Sequence, residues 1–209
     1  MNDLTHIQQT LSNRKSGIIG STSFKSAVMV PLVYVEEELS ILFEVRSKHL
    51  KKQPGEICFP GGKIDSTDHS AEMAAIRELS EEIGIPNHQI DVIAPLDVLA
   101  TPFRGIIYPF IGFLKNLDQL NVNQEEVDHI FTVPLSYLYQ YNPDIHSMKM
   151  WFEPSEHFPL DKVPNKQAYA TTRYSEIEEY FYYYEDYLIW GLTARILSHF
   201  LDITKPRSS

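Results

Sequence analysis

The sequence predicts an α/β sandwich, and three observations carry that expectation. Short apolar runs of strand length recur along the chain, two or three segments carry helical apolar periodicity, and glycine, proline and polar clusters separate them. Residues 4–11 read as an N-terminal helix, followed by a loop over 12–17. Residues 27–35 and 40–46 are β-rich, and Glu36, Glu37 and Glu38 join them as a hairpin. The apolar run Ile57-Cys58-Phe59 enters the turn Phe59-Pro60-Gly61-Gly62, where two glycines permit φ > 0 and a close backbone approach. A helix follows, with Asp68 or Ser70 as its N-cap and Gly84 then Pro86 as its stop. Residues 90–99 and 106–114 have the character of buried strands, interrupted by Pro95, Pro102 and Pro109. Residues 127–141 hold a short helix starting near Pro134, 146–152 and 180–189 are strand-like, and 190–201 form a closing amphipathic helix.

No internal repeat or low-complexity linker divides the chain, and 209 residues with 43% apolar content suffice for one core. The expected organisation is a single domain: an N-terminal extension over 1–23, a core over 24–203 and a tail over 204–209. The net charge of −10 argues against general nucleic-acid or anionic-membrane binding, which needs a broad basic footprint. No apolar stretch approaches the ~20 residues of a membrane span, and residues 1–6 lack a signal-peptide core, so a cytoplasmic protein is expected. Cys58 is the single cysteine and reads as a small core residue. The eight histidines show no ligand spacing for zinc.

The helix after the glycine turn carries the chemistry. Glu78, Glu81 and Glu82 fall within about 100° of arc, with Glu78 and Glu82 one turn apart. Like charges at that spacing cost an isolated helix roughly 0.2–0.5 kcal/mol per pair, so a cationic partner is called for, and a divalent metal is the natural one. An acid edge exposed only to water is the duller account, but these glutamates adjoin an apolar stripe of Ala75, Ile76, Leu79 and Ile83 that docks on a core.

Arg77-Glu78-Leu79, Glu81-Glu82 and Gly84-Ile85 resemble the second half of the Nudix box, G-x5-E-x7-R-E-U-x-E-E-x-G-U with U aliphatic. The first half departs: His69 stands at the early glutamate position and the glycine lies one residue further upstream. One inserted residue in the loop would put Asp68 in that role. Upstream, Leu42-Phe43-Glu44-Val45-Arg46-Ser47, Lys51, Gly55 and Phe59-Pro60-Gly61-Gly62 resemble the extra signature of coenzyme A pyrophosphatases, L-L-T-x-R-S-x3-R-x3-G-x3-F-P-G-G. Lys51 replaces an arginine there, losing the bidentate fork, and Glu44 replaces a threonine. Glu126-Val127, Val133-Pro134-Leu135 and Trp190-Gly191-Leu192-Thr193-Ala194 resemble later segments of the same subgroup.

The resemblance implies a Nudix-type α/β/α sandwich with a mixed β-sheet, and an Mg²⁺- or Mn²⁺-dependent hydrolase. Glu78 and Glu82 are then metal ligands, with Glu81 and the Gly62 carbonyl contributing, and Arg77 holds a glutamate in orientation. The base that takes the water's proton is Glu81 or Glu126; for Glu126, an acidic first turn at a helix N-terminus is an equally good account, and for Glu125 the better one. Arg46, Lys48, His49, Lys51 and Lys52 concentrate positive charge ahead of the acidic helix, as a substrate with several phosphates requires. Arg46, Lys51 and Gly61 are the expected substrate contacts, while Lys48 and Lys52 read as solvated. The tyrosines at 180, 182, 183, 184 and 187 read as sheet packing, and Met148 and Met150 as core.

The expected substrate is a small molecule, coenzyme A or a derivative, cleaved at its pyrophosphate into 3′,5′-ADP and 4′-phosphopantetheine. Two alternatives stay open: a Nudix hydrolase of another nucleoside diphosphate derivative such as ADP-ribose, and a non-catalytic ligand sensor on the same fold. Homodimerisation also stays open.

Overall fold

Strands that are apolar on both faces need cover on both, and this requirement organises the molecule. The computed structural model describes residues 3–12, 24–102, 105–117, 120–169 and 172–206. Most of the expected 12–17 loop and of the 1–23 extension, and the end of the tail, lie outside the described residues. In chain order the elements are α1 (Asp3–Leu11), β1 (Lys25–Val35), β2 (Glu38–Arg46), β3 (Ile57–Cys58), β4 (Gly61–Lys63) and α2 (Ala71–Ile83). There follow β5 (Ile90–Pro95), β6 (Leu99–Thr101), β7 (Gly105–Leu114), β8 (Val127–Pro134), α3 (Leu135–Gln140), β9 (Asp144–Phe152), β10 (Arg173–Tyr184), β11 (Tyr187–Ile189) and α4 (Gly191–Thr204).

Among the described residues an 8-stranded sheet runs β3-β2-β1-β7-β5, with β4 on β1, β6 on β7 and β8 on β2. The β1–β7 pair is parallel and the others are antiparallel, so the sheet is mixed as expected. Strand alternation sorts the side chains. Val30, Leu32, Ile41 and Phe43 enter one core with Leu138 of α3, Tyr182 of β10 and Leu197 and Phe200 of α4. Ala27, Met29, Val33 and Leu42 enter the other with Ala74, Ala75, Leu79 and Ile83 of α2. The result is helix, sheet, helix.

Along one edge β1 changes partner, from β4 at Ser26–Val28 to β2 at Leu32–Val35. The gap leaves the glycine pair on β4, where the sequence suggested a turn, held against β1 and facing α2. The expected 90–99 strand is two strands, broken at Leu96, whose N–H turns to the Pro109 carbonyl at 2.9 Å. Glu36 and Glu37 form the β1–β2 turn with positive φ at both, so the hairpin closes without glycine.

Outside the sandwich, β9, β10 and β11 form a 3-stranded sheet. Most of the tyrosines pack as expected: Tyr182 is buried, Tyr180 and Tyr184 pack against the core, and Tyr187 stacks on Phe131 with ring centroids 3.7 Å apart, whereas Tyr183 faces outward. Nor does Met148 pack as expected. It is 55% exposed, because β9 lies in this outer sheet and not under a helix, and the core expectation for it is corrected accordingly. Among the described residues no helix is long and apolar enough to cross a membrane.

Leu79 is fully buried between α2 and the sheet. Leu79→Ala is expected to lower unfolding free energy by about 2–5 kcal/mol, measured by urea titration followed by circular dichroism.

Candidate active site

Burial of Leu79 and Ile83 fixes the roll of α2 and lays its acidic arc along β4 and β2. Ser70 caps the helix, its Oγ accepting the Met73 N–H at 3.1 Å, and Gly84 ends it at φ 73°, donating to the Ser80 carbonyl at 3.0 Å. Glu82 is 4% exposed and its Oε2 accepts the Gly61 N–H at 2.8 Å. A Cβ at Gly62 would lie 2.5 Å from the Glu78 carboxylate and push that side chain aside. Gly61 is the more confined, its missing Cβ facing the Ala27 carbonyl and the Val28 backbone.

Arg77 gathers the acids on the solvent side. Its Nε and Nη2 each donate to the Asp68 carboxylate at 3.0 Å, a bidentate pair. Nη2 also lies 2.9 Å from Glu78 Oε1, and Nη1 donates to Glu81 Oε2 at 3.0 Å. Asp68 is thus not the cap of α2; its side chain, 6% exposed, anchors Arg77. The guanidinium holds the Asp68 carboxyl below the usual carboxylate range, and Asp68 in turn raises the proton affinity of Arg77. Glu81, with a side chain 57% exposed, reaches outward to the same arginine.

A further acid joins this group. Glu44 of β2 is 1% exposed and accepts the Cys58 thiol at 3.0 Å. Burial pushes the Glu44 carboxyl up, and burial followed by the neighbouring Glu44 charge pushes Glu82 up. Glu78 is raised as well, again chiefly by burial. The Cys58 thiol is raised by burial and then by Glu44, which makes it a donor to the carboxylate and not a nucleophile. Glu126 is exposed, and its charge bears on Glu44, Glu78 and Glu82. It lies in a turn ahead of β8, so the helix N-terminus weighed for Glu125 and Glu126 is not there. Among the described residues no three His, Cys, Asp or Glu side chains converge as a ready ion cage. The acids are instead held by protein donors.

On the other side of the glycine pair a cavity of about 1040 Å³ opens, lined by Arg46, Gly61 and Gly62 of the sandwich, by Met148, Met150 and Trp151 of β9, and by Trp190 ahead of α4. Lys52, Lys149 and Arg195 add cations to its wall. Lys51 is exposed and outside that lining, whereas Lys52, read as solvated, is on it. Sequence reasoning passed over Glu44, Lys149 and Arg195. A lone acid inside the apolar run Ile41-Leu42-Phe43-Glu44-Val45 was the available signal for Glu44; nothing local marks the other two.

An acid-edged helix over a glycine strand, on a mixed sheet covered by helices on both faces, defines a hydrolase of the Nudix type. The chain belongs to the Nudix family: a family model described as the NUDIX domain matches residues 23–174. It is 36% identical over 175 residues to the peroxisomal coenzyme A diphosphatase NUDT7 of Mus musculus, covering 84% of this chain and 68% of that protein. It is 30% identical over 173 residues to the Nudix hydrolase NudL of an Enterobacter strain, covering 83% and 79% of the two. Among solved structures, a MutT/nudix family protein from Enterococcus faecalis shares the fold with a TM-score of 0.50 and 16% identity, over 97% of this chain and 70% of that one. The protein is a Nudix pyrophosphatase.

Arg77→Lys keeps the charge but cannot span Asp68, Glu78 and Glu81 together. Turnover is expected to fall by about 10–100-fold while the circular dichroism spectrum stays that of the wild type, which steady-state kinetics on the purified variant checks.

Proposed function

We propose that the chain hydrolyses the pyrophosphate bond of coenzyme A or its derivatives to 3′,5′-ADP and 4′-phosphopantetheine. The observation that carries this reading is the continuity of the cavity with the acids: Gly61 and Gly62 line the one and touch Glu82 and Glu78 of the other. The likeness to the coenzyme A diphosphatase of Mus musculus and the upstream signature support the substrate. Arg46, Lys52, Lys149 and Arg195 on the wall suit a ligand that bears several phosphates, and the methionines and tryptophans suit its uncharged portions. Arg46 and Gly61 remain our substrate contacts, with Lys52 joining Lys51 as the nearby cation.

The donor set fits a hard divalent cation, Mg²⁺ or Mn²⁺. It offers only oxygens, Glu82 and Glu44 are desolvated carboxyls beside each other, and Glu78 lies against the bare backbone of Gly62. We assign Glu78, Glu82, Glu81 and the Gly62 carbonyl to hold it. When bound, such a cation neutralises phosphate oxygens and lowers the pKa of the attacking water. Arg77 keeps Glu78 and Glu81 in orientation. Of the two base candidates, Glu81 is engaged by Arg77, so Glu126 is our choice to accept the water's proton as oxygen attacks phosphorus and the bridging P–O bond breaks. We keep residues 24–203 as the core of a single domain, a reading that the cavity wall on β10 and α4 supports. A reducing compartment such as the cytoplasm suits Cys58 as a free thiol.

A panel of coenzyme A, acyl derivatives, ADP-ribose and dinucleotides, assayed with Mg²⁺ and Mn²⁺ and read by product mass, is expected to give 3′,5′-ADP from coenzyme A. Turnover of ADP-ribose with coenzyme A untouched overturns the reading, and no turnover of any member returns the choice to a ligand sensor. Chelation with EDTA is expected to abolish activity, and added Mg²⁺ or Mn²⁺ to restore it. Glu82→Gln, close in shape to the native side chain, is expected to leave the fold intact and cost more than the roughly 10–100-fold that outer partners of a metal cost. Wild-type kcat in this variant removes Glu82 from the site.

A further inference from the structure

Glu44 occupies an arrangement that protein donors alone leave incomplete. Its side chain is 1% exposed, its Oε1 accepts the Cys58 thiol, and its Oε2 is buried with no hydrogen-bond partner. A desolvated carboxylate oxygen without a partner is disfavoured unless a cation completes it or a proton, here within reach of the adjacent Glu82 carboxyl, neutralises it. The strand alternation of β2 directs it: Ile41 and Phe43 enter the core under α3 and α4, and Leu42 enters the one under α2, so Glu44 shares the α2 face with Leu42 and meets Glu82 there. The cation closest along the strand, Arg46, forms no ion pair with it among the described residues, though its charge draws the Glu44 carboxyl down against the larger effect of burial, and the Arg46 Nε is itself buried and without a partner. Cross-strand neighbours bring Cys58 on one side and Ile130 on the other, neither of which carries positive charge. In the upstream signature that the chain resembles, this position is a threonine, so the acid is a feature of this chain and not of that pattern.

We propose that Glu44 is an additional carboxylate of the divalent-cation site, its Oε2 adding to the oxygens of Glu78 and Glu82. The inference rests on the reading that the α2 acids hold Mg²⁺ or Mn²⁺. A glutamate in place of a neutral hydroxyl supplies one more negative charge and one more hard oxygen, so this site binds such ions more tightly than a threonine-bearing counterpart.

The test measures Mn²⁺ binding to the full chain without substrate, by electron paramagnetic resonance of free Mn²⁺ and by calorimetry, for the wild type, Glu44→Gln, Glu44→Thr and Glu82→Gln. Both Glu44 variants are expected to bind Mn²⁺ at least tenfold more weakly, or to lose one ion per chain. On adding Mn²⁺ they are expected to gain less resistance to urea than the wild type does. Wild-type affinity and stoichiometry in Glu44→Gln and Glu44→Thr, together with weakened binding in Glu82→Gln, overturns the role of Glu44 alone and leaves a proton shared with Glu82 as its neutraliser. Wild-type binding in all the variants overturns the α2 reading and this inference with it. Glu44→Thr, small and β-branched, keeps the question decidable on a strand should the glutamine variant fail to fold.

Discussion

Carboxylates that repel one another cannot separate here, because the helix that carries them is bolted to the sheet by Leu79 and Ile83. The rest of the site follows from that constraint. Arg77 draws Asp68, Glu78 and Glu81 to the solvent side, where three acids share one guanidinium. On the buried side Glu82 takes the Gly61 N–H, and Glu44 takes a thiol, both weak compensation for a desolvated charge. An isolated helix would relieve the strain by fraying. A helix inserted between core and strand cannot, and it keeps a standing demand for positive charge at one edge of the sheet.

That demand explains the glycines. Side chains at 61 and 62 would collide with the Ala27 carbonyl and the Glu78 carboxylate, so the acids can lie against bare backbone. The same bare backbone forms one wall of the cavity, so the cavity and the acids lie on opposite sides of a single strand. Two residues without side chains thereby join the cavity to the acids.

The outer sheet and α4 complete the cavity. Residues 23–174 match the NUDIX domain, while Arg195 and the Trp190 to Ile196 stretch of the wall come from beyond that span. The α2 acids therefore sit within the matched span, and part of the cavity wall is supplied by the chain that follows it. Lys149 illustrates how that wall is ordered: its amine sits 4.6 Å over the Tyr174 ring, a cation–π contact across the β9–β10 pair.

Much of this was legible in the residues themselves, because helical periodicity is local. The acid arc of Glu78, Glu81 and Glu82, the stripe of Leu79 and Ile83 and the stop at Gly84 all lie within a few turns of one another, so spacing alone orders them. The glycine pair was legible for the same reason. What the chain order could not reveal was which distant strand would face the helix. Glu44 reads as an oddity in an apolar run until β2 turns it toward Glu82; Lys51 reads as the contact and Lys52 as solvated until the cavity wall takes Lys52 and leaves Lys51 outside it; Met148 looks like core until β9 stands outside the sandwich. Periodicity is set by neighbours along the chain. Register and cover are set by packing between segments far apart in it, and only the tertiary structure decides those.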